Sequence, residues 1–345
     1  MVKNLNIQDF LKQAETLPVL DLRSPSEFED GHMVGAINMP LFDDAERAQV
    51  GTTYKQVSQD EAVLVGLEIV GPKMADMVRK AKSIAVDGEI MLYCWRGGMR
   101  SGSVAWLLST AGLKVRRLVK GYKAYRRYIR NSFSQDVNLI VLGGMTGSGK
   151  TDILIEMIEQ GHQVIDLEGY ANHKGSSFGM LGQKKQPSSE QFENDTYELW
   201  KTFDLTKPVW LEDESKLIGS VAICEPLYLK MRSTNVIKIE PTKQHRIDRL
   251  VRDYAVFDIE LLKAAVKRIE KRLGGQNATA CFKSLDCGDY ATVADLTLVY
   301  YDKAYLHGLT KRGDQNVFTL SLDSPDPALN AQLISDFYNS IVDSL

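Results

Sequence analysis

Apolar residues in this chain fall into two patterns: short unbroken runs, and longer stretches where they recur every three or four positions. The first pattern reads as buried strands and the second as amphipathic helices. After an amphipathic opening with Ile7, Phe10 and Leu11, residues 18–22 form the first run. Ser24-Pro25-Ser26-Glu27 follows with the marks of a helix start: a Ser N-cap, Pro at the first helical position and Glu three residues after the cap. Asp30-Gly31-His32 ends that helix, and residues 35–40 read as a second short strand. Charged and apolar residues then alternate with helical spacing from 44 to about 82, broken near Gly71-Pro72. The run from Ile90 leads into Cys94, and residues 100–109 read as a helix carrying Val104, Trp106, Leu107 and Leu108.

The second half repeats the alternation. Residues 137–142, 163–168, 208–214, 235–240 and 317–322 read as strands, and 152–160 reads as a helix. Between the last two strands the chain is helical and charged. Strands alternating with helices predict α/β architecture with parallel sheets. A 345-residue chain with two such sets suits two domains, 1–130 and 136–345, separated at the polar stretch 131–136.

With 44% hydrophobic and 25% charged residues, the composition is that of an ordinary soluble protein. The N-terminus has no long apolar core and nowhere do eighteen apolar residues run together, so secretion and membrane spanning are not expected. The expectation is a cytoplasmic monomer. Cys94, Cys224, Cys281 and Cys287 include no C-x-x-C pair, and His162, His245 and His307 lack ligand spacing. No dedicated metal site, disulfide framework or tightly bound cofactor is therefore expected.

Chemistry concentrates in three places. Cys94 enters a turn with Arg96, Gly97, Gly98 and Arg100 that opens onto a helix. Backbone N–H groups of such a turn create positive potential that suits a thiolate and an oxyanion, so a reactive thiol is expected over a merely buried one. Asp21 and His32 read as architectural. The second place is the run from 114 to 130, where Arg116, Arg117, Lys120, Lys123, Arg126, Arg127 and Arg130 interleave with Tyr122, Tyr125 and Tyr128 and no acid. It reads as a basic linker helix that either grips RNA phosphates and stacks on bases or packs its tyrosines between domains. The third is Gly143–Thr151, a G-x-x-x-x-G-K-T loop between a strand and a helix. There Gly144, Gly147, Ser148, Gly149 and Lys150 would cradle a diphosphate, with the Thr151 hydroxyl available to Mg²⁺. Glu212 and Asp213, at the end of a later strand, are either acids that hold the metal through water or surface acids. Arg246, Arg249 and Arg252 share a helix face, to clamp phosphate, grip RNA or pair with Asp248 and Asp253.

The segments L-D-L-R-S-P-S-E-F-E-D-G-H-M-V-G-A-I-N-M-P, Y-C-W-R-G-G-M-R-S and V-K-G-Y-K-A-Y resemble a rhodanese domain over roughly residues 5–125. In that family the cysteine carries sulfur as a persulfide, which implies a related role for Cys94. The usual loop has four residues between Cys and Arg, whereas Cys94 and Arg100 enclose five. This wider loop resembles the C-x5-R cradle of cysteine phosphatases, so a phosphate-bearing donor suits it better than thiosulfate.

Taken with N-H-K-G-S-S-F-G, Q-P-S-S-E-Q-F-E and V-W-L-E-D-E-S, nearly the whole chain is similar to the tRNA 2-selenouridine synthase family. The resemblance implies a rhodanese-like α/β domain followed by a P-loop NTPase-like α/β domain with a helical, basic insertion. It implies as substrate the wobble 2-thiouridine of tRNAs for Lys, Glu and Gln, S-geranylated with geranyl diphosphate and then selenated from selenophosphate. On this reading the Gly144–Thr151 loop holds the diphosphate, and Cys94 takes selenium as a selanylsulfide while Arg96 and Arg100 hold the phosphate end. Two other classes stay open: a Cys-dependent sulfurtransferase or phosphatase fused to an ATP-dependent kinase, and a nucleotide-switched RNA-binding protein.

Overall fold

The computed structural model describes residues 1–310 and 317–342; residues 311–316 and 343–345, which include the end of the expected 136–345 domain, lie outside the described residues. The chain divides into two compact units, Met1–Ser132 with Glu193–Asp195, and Phe133–Phe192 with Thr196–Leu345.

The first unit runs β1 (Val2–Leu5), α1 (Ile7–Ala14), β2 (Val19–Asp21), α2 (Pro25–Glu29), β3 (Ile37–Asn38), α3 (Asp44–Gln56), α4 (Gln59–Val70), a 3₁₀ turn, α5 (Met74–Ile84), β4 (Glu89–Tyr93), α6 (Met99–Thr110), β5 (Lys114–Leu118) and α7 (Gly121–Ser132). Its five strands lie in the order β1-β5-β4-β2-β3, every pair parallel. Ile90, Met91, Leu92 and Tyr93 of β4 are fully buried, as an interior strand covered on both faces requires. The Ser24 capping box forms as read, with Glu27 answering the cap.

One expectation needs correction here. The basic run is not a single helix: its first part, β5, pairs with β1 on one side and β4 on the other. The partners lie far off in sequence, so a local reading of K-V-R-R-L has no access to the pairing that makes it a strand. The opening strand β1 exists for the same reason.

The second unit contains β6 (Leu139–Gly144), α8 (Lys150–Glu159), β7 (Gln163–Ile165), α9 (Leu167–Ala171), α10 (Ser189–Trp200), β8 (Val209–Glu212), β9 (Leu217–Ile218), β10 (Val221–Ala222), α11 (Glu225–Ser233), β11 (Val236–Pro241), α12 (Lys243–Tyr254), α13 (Ile259–Leu273), α14 (Gly275–Asp286), α15 (Tyr290–Leu309), β12 (Val317–Leu322) and α16 (Pro327–Val342). Its main sheet is parallel, ordered β12-β11-β6-β8-β7, with β6 central. Helices α13–α15 bury Leu262, Val266, Ile269, Cys281 and Leu285 together with Phe178 and Leu181, so the insertion before β12 has its own core. Asp166 caps α9, so the strand read at 163–168 stops at Ile165.

In each unit the strand that carries a candidate loop is interior: β4 lies between β5 and β2, and β6 lies between β11 and β8. The carboxyl end of such a strand is where α/β sheets open a crevice for ligands.

Candidate functional site

The Cys94 loop leaves the end of β4 and enters α6, whose N-cap Gly98 supplies no side-chain cap. The first N–H groups of α6 are thus left without a side-chain acceptor at the loop, where an anion would complete them. Cys94 is buried, with Sγ 3.2 Å from the Ser101 hydroxyl, which in turn lies 3.2 Å from the Gly98 carbonyl. Arg100 donates to Glu27 at 2.7 Å. Burial alone pushes Glu27 upward, but the hydrogen bond and charge of Arg100 outweigh it and hold the carboxyl below its ordinary range. Arg100 therefore begins as one half of an ion pair, and Arg96, exposed and with no ion-pair partner among the described residues, is the readier anion ligand.

Two glycines let α7 seat against this loop. At Gly97, φ is +64° and a Cβ would stand 2.7 Å from the Lys120 nitrogen and 2.8 Å from the Leu118 oxygen. At Gly121, φ is +57° and a Cβ would stand 2.0 Å from the Cys94 carbonyl oxygen. With no side chain in the way, the Tyr122 and Lys123 amides donate to the Cys94 and Trp95 carbonyls at 2.9 and 3.0 Å. Beneath, buried Arg23 pairs with Asp21 at 2.6 Å, donates to the Gly31 carbonyl and lies 3.8 Å from the Tyr122 ring centre. Asp21 is thus architectural, as is His32, stacked on Phe28 with ring centres 3.7 Å apart.

The basic run differs from residue to residue in how its charges are engaged. Arg116 pairs with Glu89 and donates to Gln13, Arg117 donates to Asn4 at 2.9 Å, and Arg126 pairs with Glu193 and donates to Asn194. These three arginines are engaged by neighbouring side chains of the first unit. Tyr122 and Tyr125 are fully buried and do not stack on bases. Lys120, Lys123, Arg127 and Arg130 remain exposed, although Arg130 also lies 3.8 Å from the Glu193 carboxylate; the last three recur at helical spacing on α7, the helix that starts against the Cys94 loop.

In the second unit β6 runs into the phosphate loop and α8 leaves it. Lys150 Nζ donates to the Gly144 carbonyl at 3.0 Å, and the Thr151 hydroxyl donates to Glu168 Oε2 at 3.0 Å. Loop residues Thr146–Asp152 line a pocket of about 150 Å³ with Glu168, Lys174, Ser176, Glu214, Arg249 and Tyr254. The acids of this pocket are Asp152 and Asp253, which pair with arginines of α12, and the two glutamates Glu168 and Glu214. Glu212 and Asp213 do not line it: Glu212 is buried and accepts the Glu168 amide at 2.6 Å, and Asp213 faces Arg232. Glu168 comes from α9 and Glu214 lies just past β8, so reading acids off the strand end finds their neighbours instead. Burial and the charge of Glu168 push Glu214 up to about 8; burial also raises Glu168, against the pull of Lys150. Glu212 is raised well above its ordinary range by burial and the surrounding acids, and its Oε2 has no hydrogen-bond partner.

The three helical arginines do not act alike. Arg246 is buried, paired with Asp302 and bonded to the Thr146 carbonyl, so it braces the loop from behind. Arg249 pairs with Asp152 and lies over Gly149, and Arg252 pairs with Asp152 and Asp253. Only Arg249 lines the pocket. A narrow apolar cleft continues from Thr146, Ser176, Leu250 and Tyr254 towards Phe178, Leu262 and Val293. The pocket's donors are oxygens, which suits a hard cation shared with phosphate, and Thr151 with Glu168 is the pair that would hold Mg²⁺. Among the described residues no group of three or more His, Cys, Asp or Glu side chains is arranged to hold a metal by itself, and no helix is long and apolar enough to cross a membrane.

Comparison with known proteins gives two family matches: the rhodanese-like domain over residues 6–128, and the tRNA 2-selenouridine synthase AAA domain over residues 137–324. Among curated relatives, a tRNA 2-selenouridine synthase from Bordetella petrii is 35% identical, covering 88% of this chain and 89% of its own length. One from Pseudomonas fluorescens is 37% identical over 75% of this chain and 76% of its own.

Proposed function

Because this chain belongs to the tRNA 2-selenouridine synthase family, we propose that it replaces sulfur by selenium in the wobble 2-thiouridine of tRNAs for Lys, Glu and Gln, through an S-geranyl intermediate. In the first step the thiocarbonyl sulfur attacks C1 of geranyl diphosphate, the C–O bond breaks and diphosphate leaves. The N3 proton of the base passes to a carboxylate, a role to which Glu214, pushed up to about 8, is suited. Gly144, Gly147, Ser148, Gly149, Lys150 and Thr151 hold the diphosphate, with Lys150 placed to neutralise the departing oxygen. Mg²⁺ at Thr151 and Glu168 would supply further positive charge. The apolar continuation of this pocket favours a diphosphate with a hydrocarbon tail, although at about 40 Å³ the cleft must open to admit one.

In the second step selenium of selenophosphate attacks C2, and geranylthiolate leaves and takes up a proton. Cys94 Sγ then attacks phosphorus, the Se–P bond breaks, selenium stays on the base, and water hydrolyses the phosphocysteine to phosphate. Selenium keeps its oxidation level throughout. A selanylsulfide on Cys94, the route suggested by the rhodanese resemblance, would need an outside reductant to release selenium to the base, and the wider C-x5-R loop, with room for a tetrahedral phosphate, suits attack on phosphorus instead. Arg96 and the α6 amides hold the phosphoryl oxygens.

The observation that carries the reading is the presence of two anion cradles in one family member, one built around a thiol and one around a lysine. Full-length protein carrying Cys94→Ala or Lys150→Ala is incubated with thiolated tRNA, geranyl diphosphate and selenophosphate, and the nucleosides are resolved by mass spectrometry. Cys94→Ala should geranylate normally and accumulate the Se-phosphorylated base; Lys150→Ala should stop at 2-thiouridine. Selenouridine at the wild-type rate from Cys94→Ala, or normal geranylation by Lys150→Ala, would overturn the assignments.

A further inference from the structure

Helix α4 reads Q-D-E-A-V-L-V-G-L-E-I-V, apolar around most of its circumference after the first turn. A helix of that pattern calls for cover on every side, yet Leu67 is 63% exposed. Nearby Tyr54 of α3 and Met99 and Trp106 of α6 are 57%, 60% and 62% exposed. These side chains are not scattered. With Val63 and the stem of Arg100 they line one apolar cavity of about 650 Å³ in the first unit, between α3, α4 and α6. That volume lies within the range of roughly 300–1,000 Å³ occupied by small-molecule sites. Gly98, Met99 and Arg100 line the cavity and also close the Cys94 loop, so the cavity adjoins the anion cradle.

A site with a phosphate-binding loop at one end and a long apolar chamber beside it fits a ligand with the same division. We propose that this cavity binds the geranyl chain of the S-geranylated base during selenation, holding it as the leaving group while selenophosphate occupies the Cys94 loop. The inference rests on the S-geranyl intermediate proposed above. A ten-carbon branched chain presents only apolar surface, and Tyr54, Leu67, Met99 and Trp106 offer apolar surface already exposed, so no core needs to open. In the second unit the cleft of about 40 Å³ beside the phosphate loop is too small for such a chain as it stands. The two steps would thus hold the same hydrocarbon at different places: the donor's tail beside Lys150, the leaving chain beside Cys94.

The test measures binding of the nucleosides S-geranyl-2-thiouridine and S-methyl-2-thiouridine to full-length wild-type, Leu67→Asp, Tyr54→Asp and Lys150→Ala proteins, and runs selenation of S-geranylated tRNA in parallel. Both aspartates replace side chains that are already more than half exposed, which leaves the core intact, and they come from different helices. The wild type should bind the geranyl nucleoside at least tenfold more tightly than the methyl one. Either aspartate should reduce that ratio severalfold, and Lys150→Ala should keep it. A ratio unchanged in both aspartate variants, or lost in Lys150→Ala, overturns the proposal. If the binding pattern holds and the wild type still makes no selenouridine from geranylated tRNA, the reaction proposed above fails while the site stands.

Discussion

Replacing Gly97 by Ala tests whether the Cys94 loop is built by close approach of backbone to backbone. The added Cβ would face the Lys120 and Gly121 nitrogens at 2.7 and 2.9 Å and the Leu118 oxygen at 2.8 Å, all main-chain atoms that no rotamer change can move. At φ +64° the alanine also carries the left-handed penalty, about 1–2 kcal/mol. Relief requires the loop to lift from α7, which loosens the bonds from the Tyr122 and Lys123 amides to the Cys94 and Trp95 carbonyls, each worth about 0.5–1.5 kcal/mol. The combined loss is about 2–5 kcal/mol, or a fall of roughly 10 °C in the melting of the first unit. Differential scanning calorimetry reads that loss, and nucleoside mass spectrometry reads selenation, which should fall with it while geranylation persists. Gly71→Ala is the control: it sits at a helical φ of −47° with no atom within 4 Å of the new Cβ, so it should be neutral or stabilise by up to about 1 kcal/mol. A Gly97→Ala protein that melts within a degree of wild type and selenates normally would refute the close-approach account.

Glu214→Gln should raise the melting temperature, without ligand or Mg²⁺, more at pH 8 than at pH 5. The folded state holds the Glu214 proton up to about pH 8 whereas an unfolded glutamate loses it near 4.5, so stability present below 4.5 is lost as pH rises through that window. A variant whose advantage grows towards low pH would reverse the sign and reject the assignment. Reversing Lys123, Arg127 and Arg130 to Glu should weaken tRNA binding and flatten the slope of log K against log salt by roughly 2–3 units if each contacts one phosphate. An unchanged slope in filter-binding titrations would remove α7 from the tRNA surface.

The sequence by itself determined the elements whose signals are local. The G-x-x-x-x-G-K-T loop with its flanking strand and helix, the Ser24 capping box and the Cys94 loop all follow from adjacent residues, because turn geometry, caps and phosphate cradles are made by neighbours in the chain. The family was legible for the same reason, through several short motifs in order. What depends on partners distant in sequence was decided only by the fold. Arg116 and Arg117 belong to a strand because β1 and β4 flank it, and Arg126 and Arg130 share Glu193, so a basic stretch that looks uniform divides into charges engaged within the fold and charges turned to solvent. Glu168 and Glu214, not Glu212 and Asp213, are the glutamates that join Asp152 and Asp253 at the pocket, because α9 and the segment after β8 converge on the phosphate loop. The chamber beside Cys94 exists only where α3, α4 and α6 meet, and each helix alone shows no more than an apolar residue exposed. Local chemistry is written in consecutive residues; which charges remain free and where apolar space is left depend on packing among segments far apart in the chain.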